Sequence, residues 1–158
     1  MSNQIFYITK EKLEQLKKEY NELSVFERGK IMGQEAPKML ESEDLNAEFV
    51  SFQEDIDSLR SRIDELKNIL DNYELIKKPS KEKQVFVNLG AKVKLESHGK
   101  KDEFMIVGTL DADPNVRKVS NESPIGKALL GRKVGDEIII DHPKKIKYKI
   151  KNINYEIS

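Results

Sequence analysis

The apolar residues follow two different periods along the chain, and the change falls near residue 80. From residue 9 to about 40 the spacing is helical. Leu13, Leu16, Tyr20 and Leu23 recur in steps of three and four, which places them on one stripe of an α-helix. Thr9 can cap this helix, although position 12, where a Glu would complete a capping box, is Lys. Beyond Leu23 the stripe loosens to Ile31, Ala36 and Met39 or Leu40, while Gly29, Gly33 and Pro37 weaken or kink the helix. A second stretch is stricter. Phe49, Phe52, Ile56, Leu59, Ile63, Leu66, Leu70 and Tyr73 alternate threes and fours without a miss, and the positions between them are mostly charged or small and polar.

So narrow a seam needs one partner helix. The upstream stripe is the nearest candidate, joined through Glu41-Ser42-Glu43-Asp44-Leu45-Asn46. The pattern therefore predicts an antiparallel hairpin made within the chain. The competing arrangement is a parallel homodimer through the second helix. Helices of about 30 residues reach roughly 45 Å, so the expected hairpin is a rod with its tip at residues 41–46. Three carboxylates gather there: Glu41, Glu43 and Asp44. Helix chemistry alone accounts for them, because acids favour a helix start and Asp44 or Asn46 can cap the second helix.

Lys77-Lys78-Pro79-Ser80-Lys81-Glu82-Lys83 is charged and broken by a proline, and reads as a linker. After it the pattern becomes alternation. Val85–Val87, Ala91–Glu96 and Glu103–Val107 are predicted strands, with a turn at Ser97–Lys100 between the last two. Val116–Val119 is a further candidate strand. Ser123 and Pro124 start a short helix through Leu130 that Gly131 ends. Glu137–Ile140 and Ile146–Ile157 complete a twisted sheet. The expected class is α+β, with a coiled-coil hairpin over 1–76, a linker over 77–83 and a small β-rich domain over 84–158.

Composition changes this picture little. Of 158 residues, 37% are hydrophobic and 35% charged, thin for one spherical core and suited to an elongated chain. Lys+Arg and Asp+Glu number 28 each, so the total offers no positive coat for nucleic acid. There is no cysteine, hence no thiolate metal site or cysteine nucleophile. The first residues lack a basic segment followed by an apolar run, and no apolar run is long enough to cross a bilayer. A cytoplasmic protein with no membrane partner is expected. His98 and His142 both fall in predicted turns, and Gly131–Asp136 is a tight turn into a strand rather than a phosphate loop. No nucleophile–base set stands out, so a self-contained enzyme is not expected.

Ser120-Asn-Glu-Ser-Pro-Ile-Gly-Lys-Ala-Leu-Leu-Gly-Arg-Lys-Val-Gly-Asp-Glu137 resembles the C-terminal signature of the Gre (GreA/GreB) transcript cleavage factors. Ser120, Ser123, Pro124, Ile125, Gly126, Leu129, Leu130, Gly135 and Asp136 fit that pattern, and Phe104–Gly108 followed by Asp111-Ala112-Asp113 resembles the strand and loop before it. The likeness runs from Tyr7 onward in the family order of hairpin then domain. It implies an FKBP-like β domain that docks on bacterial RNA polymerase, and a hairpin that enters the polymerase secondary channel. It also implies that tip carboxylates help hold the polymerase's own Mg2+ at the nascent RNA 3′ end, so that backtracked RNA is hydrolysed. On this likeness the factor is a monomer with no cofactor of its own.

The usual family tip reads Gly-Asp-Leu-(Lys/Ser)-Glu-Asn-Ala-Glu-Tyr. Here it is Ser42-Glu43-Asp44-Leu45-Asn46-Ala47-Glu48-Phe49, so one of the two family acids is displaced. Asp44 is the first candidate for the shared metal contact, with Glu43 or Glu41 as substitute. Ser123, Pro124 and Ile125 are the candidate docking residues; their local alternative is helix capping and core packing. Lys17, Lys18, Arg28, Lys30, Arg60 and Arg62 could face RNA or could simply pair with acids along the hairpin. Two alternatives stay open: a channel-binding homologue that regulates without cleavage, and a prolyl isomerase or chaperone with a helical arm.

Overall fold

A computed structural model describes residues 4–33, 43–141 and 144–157, with 31–33 and 43–49 described as backbone only. The chain divides into two compact units, Leu13–Asn72, and Met1–Lys12 together with Tyr73–Ser158.

In the helical unit, α1 (Lys10–Gly33) and α2 (Glu43–Asp71) are the two predicted helices. Residues 34–42, including Ala36, Pro37, Met39 and Leu40, lie outside the described residues. Ion pairs between the helices run antiparallel: Glu19 with Arg62, Glu27 with Arg60 and Lys30 with Asp55. The seam thus closes within one chain, as the matching stripes predict. Leu13, Leu16, Ile56, Leu66 and Ile69 are buried. Each such side chain contributes about 1.5–3 kcal/mol when fully removed from water.

The α1 stripe does not decay after Leu23. It continues in the same three–four rhythm through Glu27 and Lys30, both half-buried. Lys30 keeps only 16% of its side chain exposed, with its ammonium 3.5 Å from Asp55. The same ammonium lies 6.0 Å from the Phe26 ring centre and 5.8 Å from that of Phe52. Its methylene stem covers apolar surface while the charge finds a carboxylate and two ring faces. A hydropathy pattern cannot register a seam position filled in this way.

The other unit begins with a pairing that periodicity does not reveal. β1 (Phe6–Ile8) and β2 (Tyr73–Leu75) form a parallel ladder, with Phe6 opposite Tyr73. Tyr73, expected on the helical stripe, is therefore a strand residue. Ile8 is fully buried, and its carbonyl accepts the Ile76 N–H at 2.9 Å. Residues 1–12, expected with the hairpin, group with the sheet instead.

The main sheet has five strands in the order β5-β4-β3-β7-β6: β3 (Ala91–Ser97), β4 (Lys100–Val107), β5 (Lys118–Ser120), β6 (Glu137–Asp141) and β7 (Lys145–Tyr155). All pairs are antiparallel except β4 with β5. β3 and β4 are joined at His98 and Gly99, both with positive φ, the geometry of a two-residue hairpin turn. Alternation puts Val93, Leu95, Ile138, Ile140 and Ile150 on one face, and Leu129 from the short helix α3 (Pro124–Leu129) covers them. The expected strand at Val85–Val87 is instead a single 3-10 turn over Lys83–Val85, followed by a β-bridge from Phe86 to Lys133. Helical N-terminal region and curled sheet together make an α+β protein.

Candidate functional site

Glu43 and Asp44 open α2. The antiparallel pairing puts them at the end of the helix pair away from Leu13 and Asn72, the end where α1 finishes. Glu41 and His142 lie outside the described residues. Among the described residues no three His, Cys, Asp or Glu side chains gather closely enough to hold a metal ion.

The basic residues of the helices are mostly engaged. Arg62 Nε and Nη2 donate to the two Glu19 oxygens at 2.7 and 2.9 Å, and Nη1 donates to Glu65 at 3.0 Å. The Glu19 carboxylate holds the guanidinium further toward its charged form. Arg60 pairs with Glu27 at 3.4 Å, and Lys18 lies 3.9 Å from Glu22. Lys17 and Arg28 are exposed. Pairing along the helices, more than a free basic stripe, describes this set.

The second cluster is at α3. Ser123 caps the helix: its Oγ accepts the Gly126 N–H at 3.1 Å and donates to the Ser120 carbonyl at 2.6 Å. Pro124 takes the first helical turn, where a missing N–H costs nothing. This geometry explains the spacing of the motif. The cap draws the Ser120 carbonyl so close that a Cβ on residue 126 would overlap it, so only glycine fits there. Ser123 and Ile125 are half-buried, Ile125 packs against the sheet core, and Pro124 is exposed.

Ser123, Pro124 and Ile125 border an apolar hollow of about 470 Å3 that also takes in Phe104, Val119 and Ile140. Its rim holds Arg117, whose guanidinium lies 5.6 Å from the Phe104 ring centre and donates to Asp102 at 2.7 Å. Arg117 has a left-handed backbone, φ 58, at the end of the 3-10 turn Pro114–Val116. The motif marks the three docking candidates in the sequence, but the hollow needs residues from β4, β5 and β6 that only the sheet brings together.

One tie is invisible in the sequence. Asp111 accepts both from the Thr9 N–H, at 2.9 Å, and from its hydroxyl, at 2.7 Å, while Thr9 Oγ1 accepts the Lys12 N–H at 3.2 Å. The expected cap of α1 is thus itself held, across 102 residues of chain, by the loop after β4.

Comparison with known proteins covers both halves. Residues 6–75 match the family described as "Transcription elongation factor, N-terminal", and residues 81–155 match "Transcription elongation factor, GreA/GreB, C-term". A transcription elongation factor GreA of Mesomycoplasma hyopneumoniae (strain 7448) is 37% identical over 152 residues, covering 94% of this chain and 93% of the relative. One from Thermomicrobium roseum is 34% identical over 145 residues, covering 90% and 92%. The crystal structure of the GreA factor homolog 1 (Gfh1) protein of Thermus thermophilus is similar at 26% identity and a TM-score of 0.42, covering 96% of this chain and 99% of that one.

Proposed function

This chain belongs to the GreA/GreB family of transcription elongation factors, and from that premise we propose that it brings tip carboxylates to the magnesium of bacterial RNA polymerase and so stimulates cleavage of backtracked RNA. As an elongation factor it acts on RNA polymerase and is not itself an enzyme. The observation that carries the reading is the antiparallel helix pair. It supports the reading because α2 opens at Glu43 and Asp44 and its ion pairs with α1 run antiparallel, the arrangement a hairpin that offers acids to another molecule needs.

The donor set suits the metal. Carboxylates are hard oxygen ligands of the kind magnesium takes, and a weakly held second ion can be completed by oxygens from a partner. Asp44 is the principal contact, with Glu43 and Glu41 as supporting acids near the nascent RNA 3′ end. Magnesium, when bound there, supplies charge neutralisation and a polarised water. The residues of this chain orient and hold that ion and take no proton of their own in the scheme. Ser123, Pro124 and Ile125 dock the sheet unit on the polymerase: a capped, rigid helix start beside an apolar hollow gives an anchor that loses little entropy on binding. The factor works as a cytoplasmic monomer.

The test is RNA shortening in halted, backtracked polymerase complexes. The native protein is expected to shorten the RNA. Asp44→Ala is expected to lower the rate roughly tenfold or more, at least the cost of losing a group that only orients a metal ligand, and Glu43→Ala by less, with polymerase binding kept in both. Native protein that binds the polymerase yet leaves the RNA at full length would overturn the reading in favour of a channel-occupying regulator.

A further inference from the structure

Beyond α3 the sheet unit carries a second surface that the docking residues do not include. Val85, Phe86 and Val134 expose 55%, 43% and 53% of their surface. The antiparallel bridge of Phe86 with Lys133 sets the backbone of Val85 opposite that of Val134, and Phe86 follows Val85 in the chain. Single exposed apolar residues are ordinary, but adjacent ones on rigid backbone are not. Here the backbone is held on every side. Val87 N–H donates to the Arg132 carbonyl at 2.7 Å, and Gly131 N–H donates to the Val87 carbonyl at 2.8 Å. The Tyr155 hydroxyl donates to the Phe86 carbonyl at 2.6 Å and accepts the Asn88 N–H at 2.9 Å. Tyr155 itself is buried, so the Phe86 backbone is tied to the core.

The surroundings are cationic. Lys81, Lys83, Arg132 and Lys133 are all exposed, and none of them makes an ion pair among the described residues. The acids in the same two segments are Glu82 and Asp136, and an Asp136 oxygen already accepts the Lys133 backbone N–H at 3.0 Å. Elsewhere on this unit Lys92 pairs with Glu103 and Glu156, Lys147 with Glu137 and Lys151 with Glu96, whereas Lys94, Lys100, Lys101, Lys118 and Lys145 make no ion pair among the described residues. Exposed apolar residues flanked along both segments by basic residues that make no ion pair among the described residues have the make-up of one side of a protein–protein contact. Nucleic acid fits it less well, since Phe86 is the one ring of the three apolar residues and phosphate contacts need no apolar centre.

We propose that Val85, Phe86 and Val134, with the basic residues around them, form a second contact surface that receives an acidic segment of RNA polymerase carrying an apolar side chain. The proposal rests on the polymerase-binding reading above. It gives the C-terminal end of α3 a role beside that of Ser123, Pro124 and Ile125 at its start, and the two surfaces differ in chemistry, one an apolar hollow and one a charged knob.

The experiment measures affinity for core RNA polymerase over a range of salt, using the full chain. Two variants are compared with the native protein: Val85→Thr/Phe86→Ser/Val134→Thr, which removes the apolar centre, and Arg132→Glu/Lys133→Glu, which reverses the rim. Each is expected to bind roughly tenfold more weakly, the effect of losing one anchor. The rim variant should also show a flatter salt dependence. Cleavage at saturating factor should be unchanged, because neither set touches the tip. Thermal melting equal to that of the native protein separates a lost contact from a lost fold; for a variant that melts lower, Phe86→Ser alone serves as the apolar test. Native affinity in both variants overturns the proposal while leaving the elongation-factor reading intact. A rim effect without an apolar effect, matched by equal loss of binding to a DNA oligonucleotide, overturns it in favour of general anion binding. Native protein that fails to bind polymerase at all overturns both readings.

Discussion

Gly126 carries more of the α3 motif than its size suggests. The Ser123 hydroxyl bonds the Ser120 carbonyl on one side and the Gly126 N–H on the other, and the space left over cannot hold a methyl group. Gly126→Ala is therefore expected to destabilise the sheet unit by about 1–3 kcal/mol, the usual cost of overpacking a tight site. Urea denaturation checks this, and an unchanged midpoint would show that the Ser120 segment can shift freely. The sequence marks these residues clearly, because a capping serine, a first-turn proline and a glycine at fixed offsets have local reasons to sit together. Asp111 is the opposite case. Nothing near it in the chain shows that it closes on Thr9, because the partner is 102 residues away.

Between elements, the helix pair shows what a hydropathy pattern leaves out. Glu27 and Lys30 occupy seam positions and answer Arg60 and Asp55 across the pair. Partly buried ion pairs often add little over apolar residues of similar volume. Arg60 and Asp55 keep 55% and 64% of their side chains exposed, so neither would be stranded if its partner were removed. Glu27→Leu/Lys30→Leu is thus expected to stabilise the helix pair by about 1–2 kcal/mol, measured by the helical circular-dichroism signal during thermal melting. A lower melting point would mean that the rings of Phe26 and Phe52 depend on the ammonium above them.

At the far edge of the sheet, Lys147 Nζ lies 2.8 Å from Glu137, and this hydrogen bond holds the Glu137 carboxyl below its ordinary range. A carboxyl whose pKa is lower folded than unfolded contributes stability above its unfolded pKa. That contribution is lost as pH falls through the folded value. The pair is exposed, so the effect is small and screened by salt. Stability should fall more between neutral pH and pH below the usual glutamate range in the native protein than in Lys147→Gln. Equal slopes at low ionic strength would sink that assignment.

The chain as a whole is divided differently from its periodicity. The compact unit built on the sheet takes in the first twelve residues, through the β1–β2 ladder and the Thr9–Asp111 bonds. A fragment of residues 77–158, the expected linker with the expected β-rich domain over 84–158, lacks Ile8 and Ile76, 0% and 5% exposed in the full chain. It also loses the β1 backbone that lies against Gly108. The fragment is expected to be less stable than the same sheet in the full chain by about 2–4 kcal/mol. Amide hydrogen exchange of Ile106 and Val107, compared in fragment and full chain, reads the difference. Equal protection would show that β1 and β2 are ornaments on an independent sheet.

Element type was largely open to inspection in the chain. The three–four stripe of α2, the alternation of β3 and β7 and the capped start of α3 each arise from neighbours in sequence, and local sterics and one-sided burial suffice to write them. The antiparallel sense of the helix pair follows too, since two stripes joined by a short segment have one easy way to meet. The tertiary structure alone decided which distant groups touch: the three-residue ladder of β1 on β2, the Asp111 clasp, the charged seam, and the exposed cluster at Val85, Phe86 and Val134. These depend on chain segments far apart in sequence arriving at one place, and a contact of that kind leaves no periodic trace in either segment.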